Sequence, residues 1–175
     1  MWNKDKLRDL RKSLFCLAII LATAPNGFAD GIQLSVEVIN GGNTLDFGDL
    51  RNLERDGSPA QETQLRQVRL IISNTLGLPY VLSQSLSSPL VNESGASGTP
   101  GGIRFRIEEE SGGGTLRTAD QTPLDLGMQE LYLSDDNGTN ATLVITYEID
   151  VSAQAKAGRY FSSLDYRVDV RTGST

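Results

Sequence analysis

From residue 32 to residue 170, apolar side chains recur at every second position in one segment after another, and clusters of Gly, Pro, Asn and Asp separate the segments. A helix repeats every 3.6 residues and cannot keep such a pattern on one face. An extended chain can, because successive side chains point to opposite sides. The pattern therefore commits the chain to β-strands with one apolar and one polar face.

Ile32, Leu34, Val36 and Val38 alternate with Gln33, Ser35 and Glu37 until Asn40-Gly41-Gly42-Asn43 ends the run. Val68, Leu70 and Ile72 form the next long series, Tyr80, Leu82 and Leu86 share a face after Pro79, and Ile103, Phe105 and Ile107 alternate with Arg104, Arg106 and Glu108. The clearest strands come last, on Leu143 to Val151 and on Tyr160 to Val170, with shorter ones at Leu45 to Leu50 and Leu131 to Leu133. Seven or eight strands, each with a wet face, predict an all-β, immunoglobulin-like antiparallel sandwich of two sheets. A closed barrel is the second architecture the pattern allows. Only Ser152 to Ala157 has room for a helical turn, and Ser87 to Gly102 reads as a long surface loop.

The N-terminus follows a different rule. Lys4, Lys6, Arg8, Arg11 and Lys12 precede an apolar run from Leu14 to Ala24, Pro25 and Asn26 break it, and Gly27-Phe28-Ala29 places small residues before Asp30. A basic region, a short apolar core and a small-residue cut site describe a cleaved secretory signal peptide over residues 1–29. The run is about half the roughly 20 residues a membrane span requires, so no stable span is expected after cleavage. Phe15 precedes Cys16 where a lipoprotein signal carries a small residue, which argues against lipidation. The expected mature unit is one domain over residues 30–175, exported through the periplasm to the cell surface or beyond, beginning with a strand at 32–39.

Composition narrows the chemistry. Removing residues 1–29 takes five basic and two acidic side chains from a chain of 16 and 22, leaving a net charge of −9. A phosphate-backbone footprint needs clustered Lys and Arg, so nucleic acid is not an expected partner. The chain contains no His, and its one Cys lies in the leader. The commonest general base, the thiolate nucleophile and the usual zinc ligands are therefore missing from the mature unit. Neither an enzyme nor a cofactor or metal is expected.

Carboxylates remain. Glu108-Glu109-Glu110 and Asp135-Asp136 are the visible clusters, but a glycosidase pair has to face across a cleft, and adjacent acids usually serve solubility. The segment Asp135-Asp136-Asn137-Gly138-Thr139-Asn140 lacks the closing Glu of a calcium loop, and Asn137-Gly138 is a turn signal. Gly112-Gly113-Gly114 has no Lys-Ser/Thr after it and reads as a flexible connection rather than a phosphate loop. Stacking of a sugar needs an exposed aromatic. Trp2 leaves with the leader, Tyr147, Tyr160 and Tyr166 share the parity of core residues, and Tyr132 is the candidate for an exposed face.

The stretch Ala155-Lys156-Ala157-Gly158-Arg159-Tyr160, continuing through Tyr166 to Val168, resembles the C-terminal signature of bacterial fimbrial-type β-sandwich subunits, in which an Ala-Gly-x-Tyr step leads into a final alternating strand. The nearest resemblances are to spore coat protein U-like secreted domains and alpha-type colonisation-factor pilins. The alternating segment Ile32, Leu34, Val36 and Val38 sits where such pilins carry a strand that completes a neighbouring subunit. Spore coat protein U-like domains usually carry cysteines that this chain lacks. The resemblance implies a structural subunit of a surface fimbria or coat that self-associates by donor-strand addition, with a periplasmic chaperone and an outer-membrane usher as partners. It also implies roles for Gly158 at the start of the last strand and for Tyr160 and Tyr166 within the core. A monomeric extracellular module binding carbohydrate or protein is the alternative. Whether Ile32 to Val38 pairs in its own domain or donates to a neighbour stays open on the sequence.

Overall fold

The computed structural model describes residues 16–22, 31–39, 44–49, 64–92, 102–118, 120–149 and 160–171. Nine strands of five or more residues run through them: β1 (Cys16–Ala22), β2 (Ile32–Ile39), β3 (Thr44–Asp49), β4 (Gln64–Asn74), β5 (Tyr80–Leu86), β7 (Ile103–Ser111), β10 (Gln129–Leu133), β11 (Ala141–Ile149) and β12 (Tyr160–Val170). Three two-residue strands, β6 (Val91–Asn92), β8 (Thr115–Leu116) and β9 (Thr122–Pro123), complete the set, and no helix occurs among the described residues. The alternating segments form strands as predicted. Eight of the nine longer strands lie within 30–175, and the ninth, β1, comes from the apolar run that the sequence reading assigns to a signal peptide.

The strands form two sheets, in the order β3-β1-β12-β5-β10-β8 with β6 beside β12, and β2-β4-β11-β7-β9. Among the described residues every pairing is antiparallel except β1 with β12. In an immunoglobulin-like sandwich one sheet runs A-B-E-D and the other C-F-G. Here β2-β4-β11-β7 follows the first order and β5-β12-β1 the second, so β1 takes the place of strand G while arriving from the opposite end of the chain.

The core lies between the sheets. Val68, Leu70 and Ile72 of β4, Leu143, Ile145 and Tyr147 of β11, and Phe105 of β7 meet Tyr80 and Leu82 of β5 and Leu164 of β12, all fully or nearly fully buried. One wet face per strand fails at β11. Val144 and Thr146 point away from the core and are still buried, because β11 lies between β4 and β7 and is overhung by their long side chains. Gln67, for instance, donates from Nε2 to Thr146 Oγ1 at 3.2 Å.

Tyr132 corrects the sequence reading. It is fully buried, as is its neighbour Leu131. The pairing of β10 with β5 shifts between Glu130 and Tyr132, and such a bulge lets two successive residues face the same way. The Tyr132 hydroxyl then accepts the backbone amides of Gly113 at 3.3 Å and Gly114 at 2.9 Å. The glycine run is thus fastened to β10, where the sequence suggested a loose connection. At the predicted Asn137-Gly138 turn, Gly138 adopts φ 60° and the Asp135 carboxylate caps the Thr139 amide at 2.8 Å.

Candidate functional site

β1 lies inside a sheet, between two strands that do not pair with each other. Its Leu17, Ile19 and Leu21 stand opposite Tyr160, Ser162 and Leu164 of β12 in parallel register. On its other side, Ile20, Ile19 and Ala18 stand opposite Thr44, Leu45 and Asp46 of β3 in antiparallel register, with an irregularity before Cys16 reaches Asp49. Leu45 and Leu164 are fully buried and Ser162 nearly so. The backbone of β1 therefore fills the place between the strand that carries Leu45 and the strand that carries Ser162 and Leu164. Without β1, each of those two strands loses a line of backbone partners, and an unpaired edge of this kind is a template for another strand.

The floor of this slot is built by ordinary strand chemistry. Leu86 pairs with Leu164, Ser162 Oγ donates to the Ser88 carbonyl at 2.6 Å, and β6 pairs with the start of β12 through Asn92 and Tyr160. Tyr160, for which the resemblance implies a role within the core, begins β12 opposite Leu17. Tyr166 is buried and bonded to Tyr147 at 2.6 Å. Gly158 lies outside the described residues.

Ile32, Leu34, Val36 and Val38 fall elsewhere. They lie on β2, the edge strand of the other sheet, paired with β4 from Ile32 opposite Asn74 to Ile39 opposite Gln67. Ile32 and Val38 are buried, and Leu34 and Val36 are half-buried against the core. On the outer face Arg69 reaches Glu37 at 3.7 Å and Glu110 at 3.3 Å, which ties β2 loosely across the sheet. Exposed pairs of this sort contribute at most about 1 kcal/mol. The structure does not bring the four β2 residues into the slot, although β2 reaches the start of β3 through only residues 40–43.

The carboxylate clusters do not converge. Glu110 is engaged by Arg69, Glu109 accepts from the Tyr132 hydroxyl at 3.3 Å, and Asp135 serves its own turn, where the Thr139 amide and hydroxyl hold its carboxyl below the usual carboxylate range. Burial pushes the Tyr80, Tyr132, Tyr147 and Tyr166 phenols upward, the pattern of core hydroxyls rather than of an open binding surface. Among the described residues no helix is long and apolar enough to cross a membrane, and no three acidic or thiol side chains gather as a cation site.

Sequence reasoning missed Leu45, Ser162 and Leu164 as the walls of a slot. The only local signal is the alternation Leu17, Ile19, Leu21 inside a run that also satisfies a signal peptide. The chain matches no family model and no curated protein.

Proposed function

We propose that the protein is an exported structural subunit of a surface fimbria or coat, joined to its neighbours by addition of a strand to the slot between β3 and β12. One observation carries this reading: an interior place in a sheet is held by the segment that export is expected to remove. Loss of residues 1–29 leaves two strand edges and a row of buried apolar side chains open together. A neighbour's alternating strand offers both backbone partners and side chains for such a gap.

The candidate donor is Ile32 to Val38 of a second copy. It is an edge strand in its own domain, so it leaves only one partner, β4, when it is given away. Ile32 and Val38 are already buried on β2, so Leu34 and Val36, half-buried there, are the side chains with burial to gain in the slot, out of roughly 1.5 to 3 kcal/mol for each full burial before the cost of ordering. A periplasmic chaperone would occupy the slot until the donor arrives, and an usher would be the place of exchange.

The test is to express the whole gene with its export apparatus, determine the N-terminus of the released protein by mass spectrometry, and measure its mass in solution. The expected result is a chain beginning near Asp30 that recovers as multimers, or bound to a partner, and that becomes a stable monomer when a peptide spanning residues 30–40 is supplied. A processed chain that is a stable monomer by itself and ignores the peptide defeats the reading in favour of a free-standing binding module.

A further inference from the structure

We infer that two copies of the chain join edge to edge through β2, antiparallel about a two-fold axis at Ser35, with each β2 kept on its own β4. The slot takes no part in this association, which goes beyond the reading above.

One bond fixes where the free backbone groups of β2 point. The Thr75 amide donates to the Gly31 carbonyl at 2.8 Å, one step beyond the Ile32–Asn74 pair that opens the β2–β4 ladder. Bonded and non-bonded pairs alternate along an antiparallel ladder, so Gln33, Ser35 and Glu37 exchange their bonds with β4. Ile32, Leu34, Val36 and Val38 therefore turn their N–H and C=O groups outward. Among the described residues no strand pairs with that side.

Other edges of the molecule are guarded. β9, at the far edge of the same sheet, has two residues, one of them Pro123, and β8 at an edge of the other sheet also has two. Shortness and proline both blunt an edge. β2 runs for eight residues in unbroken register and contains neither proline nor a basic residue. Leu34 and Val36, only half-buried, leave apolar surface beside its open side.

The order of residues along β2 suits a second copy of itself. Set antiparallel about Ser35, Ile32 faces Val38 and Leu34 faces Val36, and this register alone pairs all four outward-turned residues with one another. Glu37 is the one charged residue of the strand, and it falls opposite the neutral amide of Gln33. An axis two residues later sets Glu37 against Glu37, and like charges directly opposite repel. Leu34 and Val36 lie on the core side, so their contact carries the core across the axis, and the five-stranded sheet continues into its copy. A β2 paired on both sides is not available as a donor, so this dimer and strand addition are alternative associations of one chain.

The test uses the whole chain, in which β1 fills the slot, with C16S so that introduced thiols are the only ones. Across the axis, 35 with 35 and 33 with 37 are non-hydrogen-bonded pairs, whose Cα separation of about 4.5 Å admits a disulfide. S35C is expected to form an interchain 35–35 disulfide. Q33C and E37C are expected to crosslink to each other in a mixture, and neither to itself. V36P removes an outward N–H and spares the ladder to β4, because proline is tolerated on an edge strand whose N–H faces away from its neighbour. The expected result is a folded chain whose dimer dissociation constant rises at least about tenfold.

A whole chain that stays monomeric, thiols that crosslink in another combination, or a folded V36P protein that dimerises as before overturns the inference. The thiol variants change exposed side chains only, and they decide the matter alone if V36P does not fold. Strand addition is untouched by these results, because β1 keeps the slot closed throughout. The processed chain carrying V36P has its edge blocked and its slot open, so the peptide experiment above, repeated on that variant, reads strand addition alone.

Discussion

Tyr147 of β11 and Tyr166 of β12 share a 2.6 Å hydrogen bond through the middle of the sandwich, joining the two sheets by a polar contact inside an apolar core. Tyr147 donates its proton to Gln84 Oε1, also at 2.6 Å, so Tyr166 is the donor within the tyrosine pair. Gln84 Nε2 is buried with no partner. The cluster therefore has one strong chain of bonds and one uncompensated group, and its members respond differently to removal.

Tyr147→Phe strips both neighbours of their contact and leaves Gln84 with two unpaired buried atoms. A loss of about 1 to 3 kcal/mol is expected, against about 0.5 to 1.5 for Tyr166→Phe, which spares the bond to Gln84. Chemical denaturation of both single variants and the double variant checks the order. The double variant should lose less than the two single losses combined, because the bonds belong to one network.

Alkaline pH weakens the fold through the same phenols. Burial raises Tyr80, Tyr147 and Tyr166 above their ordinary value, whereas an unfolded tyrosine loses its proton near pH 10. Above that pH the unfolded chain binds fewer protons than the folded one, so the stability these groups contribute is complete below about pH 10 and is lost as pH climbs towards their folded values. Thermal melts followed from neutral to strongly alkaline buffer should show a falling midpoint. Tyrosinate absorbance should appear together with unfolding rather than before it.

Gly114→Ala strikes the fastening of the glycine run. A methyl group there runs into the Leu133 carbonyl and the Tyr132 ring, both held by the sheet. The expected cost is at least about 2 kcal/mol. Tyr132→Phe, which only removes the hydroxyl that accepts the Gly113 and Gly114 amides, should cost about 1 kcal/mol. A comparison of denaturation midpoints settles the ranking.

Ser134→Ala removes the acceptor of the Tyr80 amide, a 2.8 Å bond in the interior. An unpaired buried N–H costs about 1 to 3 kcal/mol. Hydrogen exchange at Tyr80 should accelerate in the variant while amides in β11 keep their protection, provided exchange proceeds by local opening.

Alternation alone determined which segments between residues 32 and 170 form the longer strands and, for most of them, which side chains face inward, because side-chain direction along an extended chain is a local property. Val68, Leu70 and Ile72, or Ile103, Phe105 and Ile107, needed no partner to be read correctly. The partners themselves were decided by tertiary structure. Nothing near Tyr132 announces the bulge that turns it inward, since the shift is imposed by its pairing with β5. Val144 and Thr146 are covered because β11 is central, which is a fact of strand order. The candidate site was the least legible of all. Its walls, Leu45 and Leu164, are more than a hundred residues apart, and the segment between them was readable only as an export signal. Backbone hydrogen bonds in a sheet carry no sequence label, so which strand fills a place depends on what the assembled sheet leaves unpaired.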